Sequence, residues 1–112
     1  MHEIRAWGNF KILHEAVTCK VKKIEVQPGH RLSYQSHNCR SEFWVIVQGL
    51  GLITIDGKTR EVGYGEAISI PAKAKHRIKN IGNDILVFVE IQTGTSFAEE
   101  DIIRYDDDYG RS

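Results

Sequence analysis

The segment Gly29-His30-Arg31-Leu32-Ser33-Tyr34-Gln35-Ser36-His37-Asn38-Cys39-Arg40-Ser41-Glu42, running on through Phe43-Trp44-Val45-Ile46-Val47 to Gly49, carries more structural information than any other part of this chain. Gln35 and His37 are two residues apart, and alternate side chains of a strand emerge on one face, so the pair can converge on a single point. Glu42 opens the following apolar strand with Trp44 and Ile46, and a turn over 38–41 brings it back beside His37.

Working outward, short β-rich segments are separated by glycines, which is the punctuation of an antiparallel sandwich or barrel. Strands are expected over Val17–Val26, Leu32–Ser36, Glu42–Gln48, Leu50–Ile55, Thr59–Val62, Ala67–Ile70, His76–Asn80 and Ile85–Gln92. That number suits a two-sheet jelly roll. Pro28-Gly29 presets a type II turn, and Asp56-Gly57 between apolar alternations suits a type I′ hairpin. Ser96-Phe97-Ala98-Glu99 has the capping-box pattern and predicts one short helix through about Ile103. The run Asp106-Asp107-Asp108 lacks the spacing of a calcium loop and reads as solvated surface.

Two polar residues stand out in otherwise apolar strands. Leu86, Phe88 and then Glu90 share one face of a strand whose other face is also apolar, so Glu90 is expected to be a partly buried acid. Between Val17-Cys19-Val21 and Ile24-Val26 the apolar phase slips by one residue. A β-bulge near Lys22-Lys23 reconciles the halves and leaves Lys22 at the rim, the reading periodicity favours. If the phase runs unbroken, Lys22 points inward and needs an anion.

The 112 residues are 41% hydrophobic, with 15 Lys+Arg against 15 Asp+Glu. This supports a single packed domain over 1–112 and disfavours a disordered charged tail. Zero formal charge removes the basic footprint of a nucleic-acid binder. The longest apolar run, Phe43 to Val47, is far too short for a membrane helix, and the polar start Met1-His2-Glu3 is unlike a signal peptide, so a cytoplasmic protein is expected. Cys19 and Cys39 are then expected as reduced thiols, with Cys39 a loop or packing thiol rather than a metal ligand.

A second segment, Gly65 to Asn80, delivers another imidazole, His76, after the turn at Pro71. The two segments match the paired motifs of the cupin superfamily: Gly29, five residues, Gln35, one, His37, four, Glu42, six, Gly49; then Gly65, five, Pro71, four, His76, three, Asn80. The resemblance implies an all-β double-stranded β-helix, the cupin jelly-roll barrel, with Gln35, His37, Glu42 and His76 as metal ligands. Gln35 stands where the general pattern has its first His, and Lys73 where the second motif usually has Gly. One amide oxygen, two imidazoles and one carboxylate form a mixed set suited to one divalent transition metal: Zn, Mn, Fe, Ni or Co.

The similarity sharpens through Arg5-Ala6-Trp7-Gly8, Lys20-Val21-Lys22, Arg40-Ser41-Glu42-Phe43-Trp44, His76-Arg77 and Glu100 to Arg104 with Tyr109-Gly110-Arg111. These resemble the type II mannose-6-phosphate isomerase cupin, found at the C-terminus of bifunctional mannose-1-phosphate guanylyltransferases and also free-standing. The His-rich run of that family is reduced here to His37-Asn38-Cys39, and Phe43 sits where His is often found. Metal ligation survives these changes, whereas proton transfer through the missing imidazoles does not.

The resemblance implies interconversion of mannose 6-phosphate and fructose 6-phosphate through an enediol, with Glu42 or Glu90 as base. The substrate phosphate calls for cations, in the order Lys22, Arg40 and Arg77, with Arg5 and Arg111 available if the termini fold over the barrel mouth. Among the aromatic residues, Trp44 is expected to pack inside. A non-catalytic module holding a sugar phosphate or nucleotide sugar, and less favourably an iron oxygenase, remain open. The expected partners are a sugar phosphate and, since jelly-roll cupins often pair by sheet packing, a second copy of the chain.

Overall fold

The computed structural model describes residues 2–110, apart from the side chain of Glu99. Among them, two antiparallel sheets pack face to face. One holds β1 (His2–Arg5), β2 (Gly8–Glu15), β3 (Cys19–Val26), β10 (Leu86–Gly94), β5 (Arg40–Gln48) and β8 (Ala67–Ile70), in that spatial order. The other orders β11 (Ile102–Asp106), β4 (Tyr34–His37), β9 (His76–Asn80), β6 (Leu50–Ile55) and β7 (Lys58–Gly63).

Alternation builds the interior. Ile24 and Val26 of β3, Trp44 and Ile46 of β5, and Leu86 and Phe88 of β10 meet Ile53, Val62 and Ile78 of the opposite sheet in one core. Each such side chain removed from water is worth about 1.5–3 kcal/mol, so this core dominates the fold's stability. Toward one end of the same inner faces the alternation continues with polar residues: Glu42 below Trp44, Glu90 and Gln92 below Phe88, and His76 below Ile78. The barrel is therefore apolar at one end and polar at the other.

The turn expectations hold. Asp56 and Gly57 have φ of 48° and 82°, as a type I′ hairpin demands, and Gly29 has φ 81° at the third position of its type II turn. Three expectations are corrected. The helix after Ser96 is a single 3₁₀ turn, Glu99–Asp101, followed at once by strand β11. Ser96 Oγ accepts the Ala98 N–H at 3.3 Å, which closes a local turn in place of a helix cap. β3 has no bulge: its register with β10 runs unbroken from Leu86↔Val26 to Thr93↔Cys19. The irregularity lies in the facing strand, between Ile12 and His14 of β2. Lys22 consequently keeps the phase of Ile24 and Val26 and turns into the barrel. The acidic run is not simply solvated either, since Asp106 and Asp108 pair with Arg77 and Arg31 at 3.0 and 2.7 Å.

Candidate metal centre

Strand ends and two tethered loops position the polar cluster. His37 closes β4, Glu42 lies near the start of β5 and His76 opens β9, so its donors come from both sheets. The tight connection from His37 to Arg40 is held by Asp101, whose carboxylate accepts the N–H groups of Asn38 and Cys39 at 3.1 and 2.9 Å. Those bonds hold the Asp101 carboxyl below its ordinary range. The loop before His76 is tied to the same place, because Lys73 N–H donates to the His37 carbonyl at 2.6 Å. Lys73 has φ 74°, a left-handed conformation costly for a side chain. This is the position where the motif usually has Gly, and the backbone explains that preference.

One ligand atom from each of His37, Glu42 and His76 lies within 4.8 Å of the others, and all three residues are buried. Glu42 Oε2 is 3.1 Å from His37 Nε2, and Glu42 Oε1 is 3.3 Å from His76 Nε2. His76 Nδ1 lies 3.0 Å from the Ala74 carbonyl, which can only accept, so Nδ1 carries the ring proton. Its Nε2 then turns a lone pair toward a carboxylate oxygen and makes no hydrogen bond. Two electron-rich atoms facing each other in a buried site call for a cation between them. The donor set thus fits a divalent transition metal on geometry and on tautomer.

Gln35 is paired across strands with His76 and lines a cavity with Glu42, but its Oε1 accepts from Ser33 Oγ at 3.1 Å. Three of the four expected ligands therefore meet, with the amide beside them. Cys39 is exposed and belongs to the turn, and both cysteines are free thiols.

The second carboxylate is built in by the core. Trp44 packs between Phe88 and His76, and its indole N–H donates to Glu42 Oε1 at 3.2 Å and Glu90 Oε1 at 3.1 Å. Gln92 Nε2 donates to Glu90 Oε2 at 2.9 Å and to Glu42 Oε2 at 3.5 Å. The two acids nevertheless differ. Burial pushes Glu42 upward, but His37 and His76 in their cationic, metal-free form prevail and hold it well below the usual carboxylate range. Burial, then repulsion from Glu42, raises Glu90 to about 8 against the pull of Lys22. Burial lowers His37 more than Glu42 raises it. Burial likewise lowers Lys22; Glu90 opposes this shift, while repulsion from Lys20 and Arg40 adds to it.

Glu42, Trp44, Glu90, Gln92 and Lys22 line a cavity of about 90 Å³, walled also by Trp7, Arg5 and Arg104, and Glu42 connects it to the two imidazoles behind. Arg40 is buried in its wall, with Nη2 3.3 Å from His37 Nε2 and Nε 3.5 Å from Glu42 Oε2. Arg77 does not reach the cavity. It points away from His76, donates to the Leu32 carbonyl and to Asp106, and its role as a substrate cation is withdrawn. Arg111 lies outside the described residues. Asn38, Cys39 and Phe43, where the family pattern is altered, are exposed, so the missing imidazoles were not lost from the cavity. Sequence reasoning missed Asp101, Gln92, Arg104 and the donor role of Trp44. Gln92 was legible in principle, two residues beyond Glu90 on the same face.

Comparison with known proteins bears on the family and the fold. The family model described as mannose-6-phosphate isomerase C-terminal matches residues 1–107. A mannose-1-phosphate guanylyltransferase of Escherichia coli K12 is 39% identical over 107 residues, and the alginate biosynthesis protein AlgA of Pseudomonas aeruginosa is 38% identical over 108. Each match covers 96% of this chain but 22% of the relative, so the chain spans about a fifth of their length. Among solved structures, the capsular polysaccharide assembling protein CapF of Staphylococcus aureus superposes with a TM-score of 0.81 at 20% identity, over 95% of this chain and 34% of that one. That likeness concerns the cupin fold alone.

Proposed function

Because the chain belongs to the mannose-6-phosphate isomerase C-terminal family, with a cupin fold, we propose that it is a metal-dependent isomerase interconverting mannose 6-phosphate and fructose 6-phosphate. The observation that carries this reading is the pair of carboxylates on one indole, of which Glu42 faces the imidazoles and Glu90 does not. One acid serves as ligand, and the other is left to move a proton.

His37, Glu42 and His76 hold the ion, with Gln35 beside them. A bound divalent ion supplies Lewis-acid polarisation of the sugar's carbonyl and hydroxyl oxygens. Glu90 takes the proton from C2 of the open-chain aldose, and the C–H electron pair becomes the C1–C2 double bond of an enediol while O1 gains a proton. Glu90 then returns its proton to C1, O2–H releases a proton, and the carbonyl forms at C2, so the reaction needs no oxidant. A raised Glu90 suits both halves, because a base poised near operating pH also returns its proton readily. Trp44 and Gln92 fix that carboxylate, and Lys22 stands beside it as its register partner on β3.

Metal-loaded protein mixed with mannose 6-phosphate should produce fructose 6-phosphate. Glu90→Gln should lower kcat by about 10²–10⁴ with metal content unchanged, and His76→Ala should lose the metal. Binding without turnover would instead favour a sugar-phosphate-binding module, and oxygen uptake with Fe²⁺ an oxygenase. The reading extends to a cytoplasmic homodimer. It would be built on the outer face of the six-stranded sheet, where Val21, Ile91 and Phe43 form one row and Val89 and Val45 the next. Lys23 and Glu25 pair on that face at 3.4 Å, so two copies can meet without like-charge repulsion.

A further inference from the structure

Isomerisation through an enediol moves protons at oxygen as well as at carbon. Glu90 serves the carbons, but O1 must gain a proton as the enediol forms and O2–H must lose one as it collapses. The wall of the inner cavity limits what can carry that second proton. Among the described residues lining it, the arginines stay charged near neutral pH, and the amides of Gln35 and Gln92, the Ser33 hydroxyl and the two indoles do not titrate there. Glu42 faces the imidazoles and Glu90 the carbons, which leaves Lys22.

Lys22 is placed for that role. Strand β3 runs through it without a bulge, so it keeps the inward phase of Ile24 and Val26. Its register partner on β10 is Glu90, and the two side chains leave adjacent strands toward one space. Lys22 Nζ lies 4.5 Å from the centroid of the Phe10 ring, over which Arg5 also sits at 5.0 Å, and among the described residues the ammonium makes no ion pair. The charged groups around it are Lys20 on its own strand, Arg5 and Glu3 from β1, Arg40 and Glu42 from β5, Glu90 from β10 and Arg104 from β11, while β2 faces it with Phe10 and Ile12. A poorly solvated ammonium beside other cations gives up its proton more readily than one in water, and burial is the first cause of the downward shift of Lys22.

We infer that Lys22 is the catalytic acid and base for the sugar oxygens. The inference rests on the isomerase reading. As Glu90 takes the C2 proton and that C–H pair forms the C1–C2 double bond, the π pair of the C1–O1 double bond takes a proton from the Lys22 ammonium. The neutral amine then takes the proton of O2–H, whose electron pair forms the C2–O2 double bond, while the C1–C2 π pair takes the proton of Glu90 at C1. Both groups finish as they began. An oppositely charged pair passes through a neutral pair and back, so neither charge is left alone in the cavity. Lys22 thus acts at O1 and O2 rather than on the phosphate, where its charge alone would place it.

The test is steady-state turnover of mannose 6-phosphate by metal-loaded protein carrying Lys22→Met, which removes the amine, or Lys22→Arg, which keeps the charge but releases no proton. In both, kcat should fall by about 10²–10⁴ with KM nearly unchanged and with metal content and circular dichroism as in the parent protein. Lys20→Met, on the same strand face but outside the inner cavity, should keep the parent kcat. In the parent protein kcat should decline as rising pH deprotonates Lys22, and that alkaline limb should vanish in both Lys22 variants. Full kcat in Lys22→Arg, a loss confined to KM, or an equal fall in Lys20→Met would overturn the role, since charge alone would then suffice. A parent profile without an alkaline limb overturns it whether or not the variants fold. Each of these outcomes leaves the isomerase reading standing, whereas absence of turnover in the metal-loaded parent protein overturns both.

Discussion

Trp44 donates its one N–H to two buried carboxylates, so its polar atom matters as much as its ring. Trp44→Phe keeps most of the volume but leaves two acids short of a donor, and should cost about 2 kcal/mol in a denaturant titration. The same logic governs pH. Glu90 moves from an ordinary 4.5 to about 8 on folding, so its contribution to stability is complete below 4.5 and is lost as pH rises through 8. Metal-free protein should therefore weaken across that interval, and Glu90→Gln should remove that part of the slope, as read from unfolding midpoints. The strand phase placed Glu90 inside, but neither the phase nor the motif spacing indicated that Trp44 would bridge it to Glu42. That bridge depends on the distance between β5 and β10, which a linear reading does not contain.

Whole elements show where backbone conformation overrides side-chain preference. Lys73 adopts φ 74° in the loop that ties His76 to His37, and Lys73→Gly should raise stability by roughly 1 kcal/mol, since the strain relieved exceeds the entropy glycine adds to the unfolded chain. Gly94 is the opposite case. A Cβ there would lie 2.2 Å from the Cys39 carbonyl oxygen and 2.7 Å from Arg40 Cα, so Gly94→Ala should destabilise by about 2–3 kcal/mol or more. Both changes are measurable by chemical denaturation. Asp101→Ala, which frees the turn after His37, should weaken metal binding about tenfold in a chelator competition. The eight central strands were readable because apolar alternation and turn residues agreed in each. Strands β1, β2 and β11 were not, being half exposed and, in β2 and β11, interrupted by register shifts. The helix expected after Ser96 failed because its capping residue closes a local turn and the β-branched pair Ile102-Ile103 joins β4 instead.

At the scale of the molecule, residues from the first and last strands meet at one cavity, Arg5 from β1 and Ile102 and Arg104 from β11. β11 lies beside β4, the segment after it is fastened by Arg31 to Asp108 and by His30 Nδ1 to the Tyr109 hydroxyl at 2.7 Å, and β1 is an edge strand of the opposite sheet. The metal donors were legible as spacing within two motifs, whereas that meeting was not, because its residues share no local pattern and come together only once both sheets have formed. If the proposed dimer uses the outer face of the six-stranded sheet, Phe43→Glu should yield a monomer in sedimentation velocity with the metal site intact. The donors themselves straddle the sandwich, with Glu42 on one sheet and both imidazoles on the other. A shared ion would rivet the two layers at the end where apolar packing gives out. Chelation should then be felt as a loosening of that seam, with amide hydrogens near His37 and His76 exchanging sooner while those around Phe88 keep their pace.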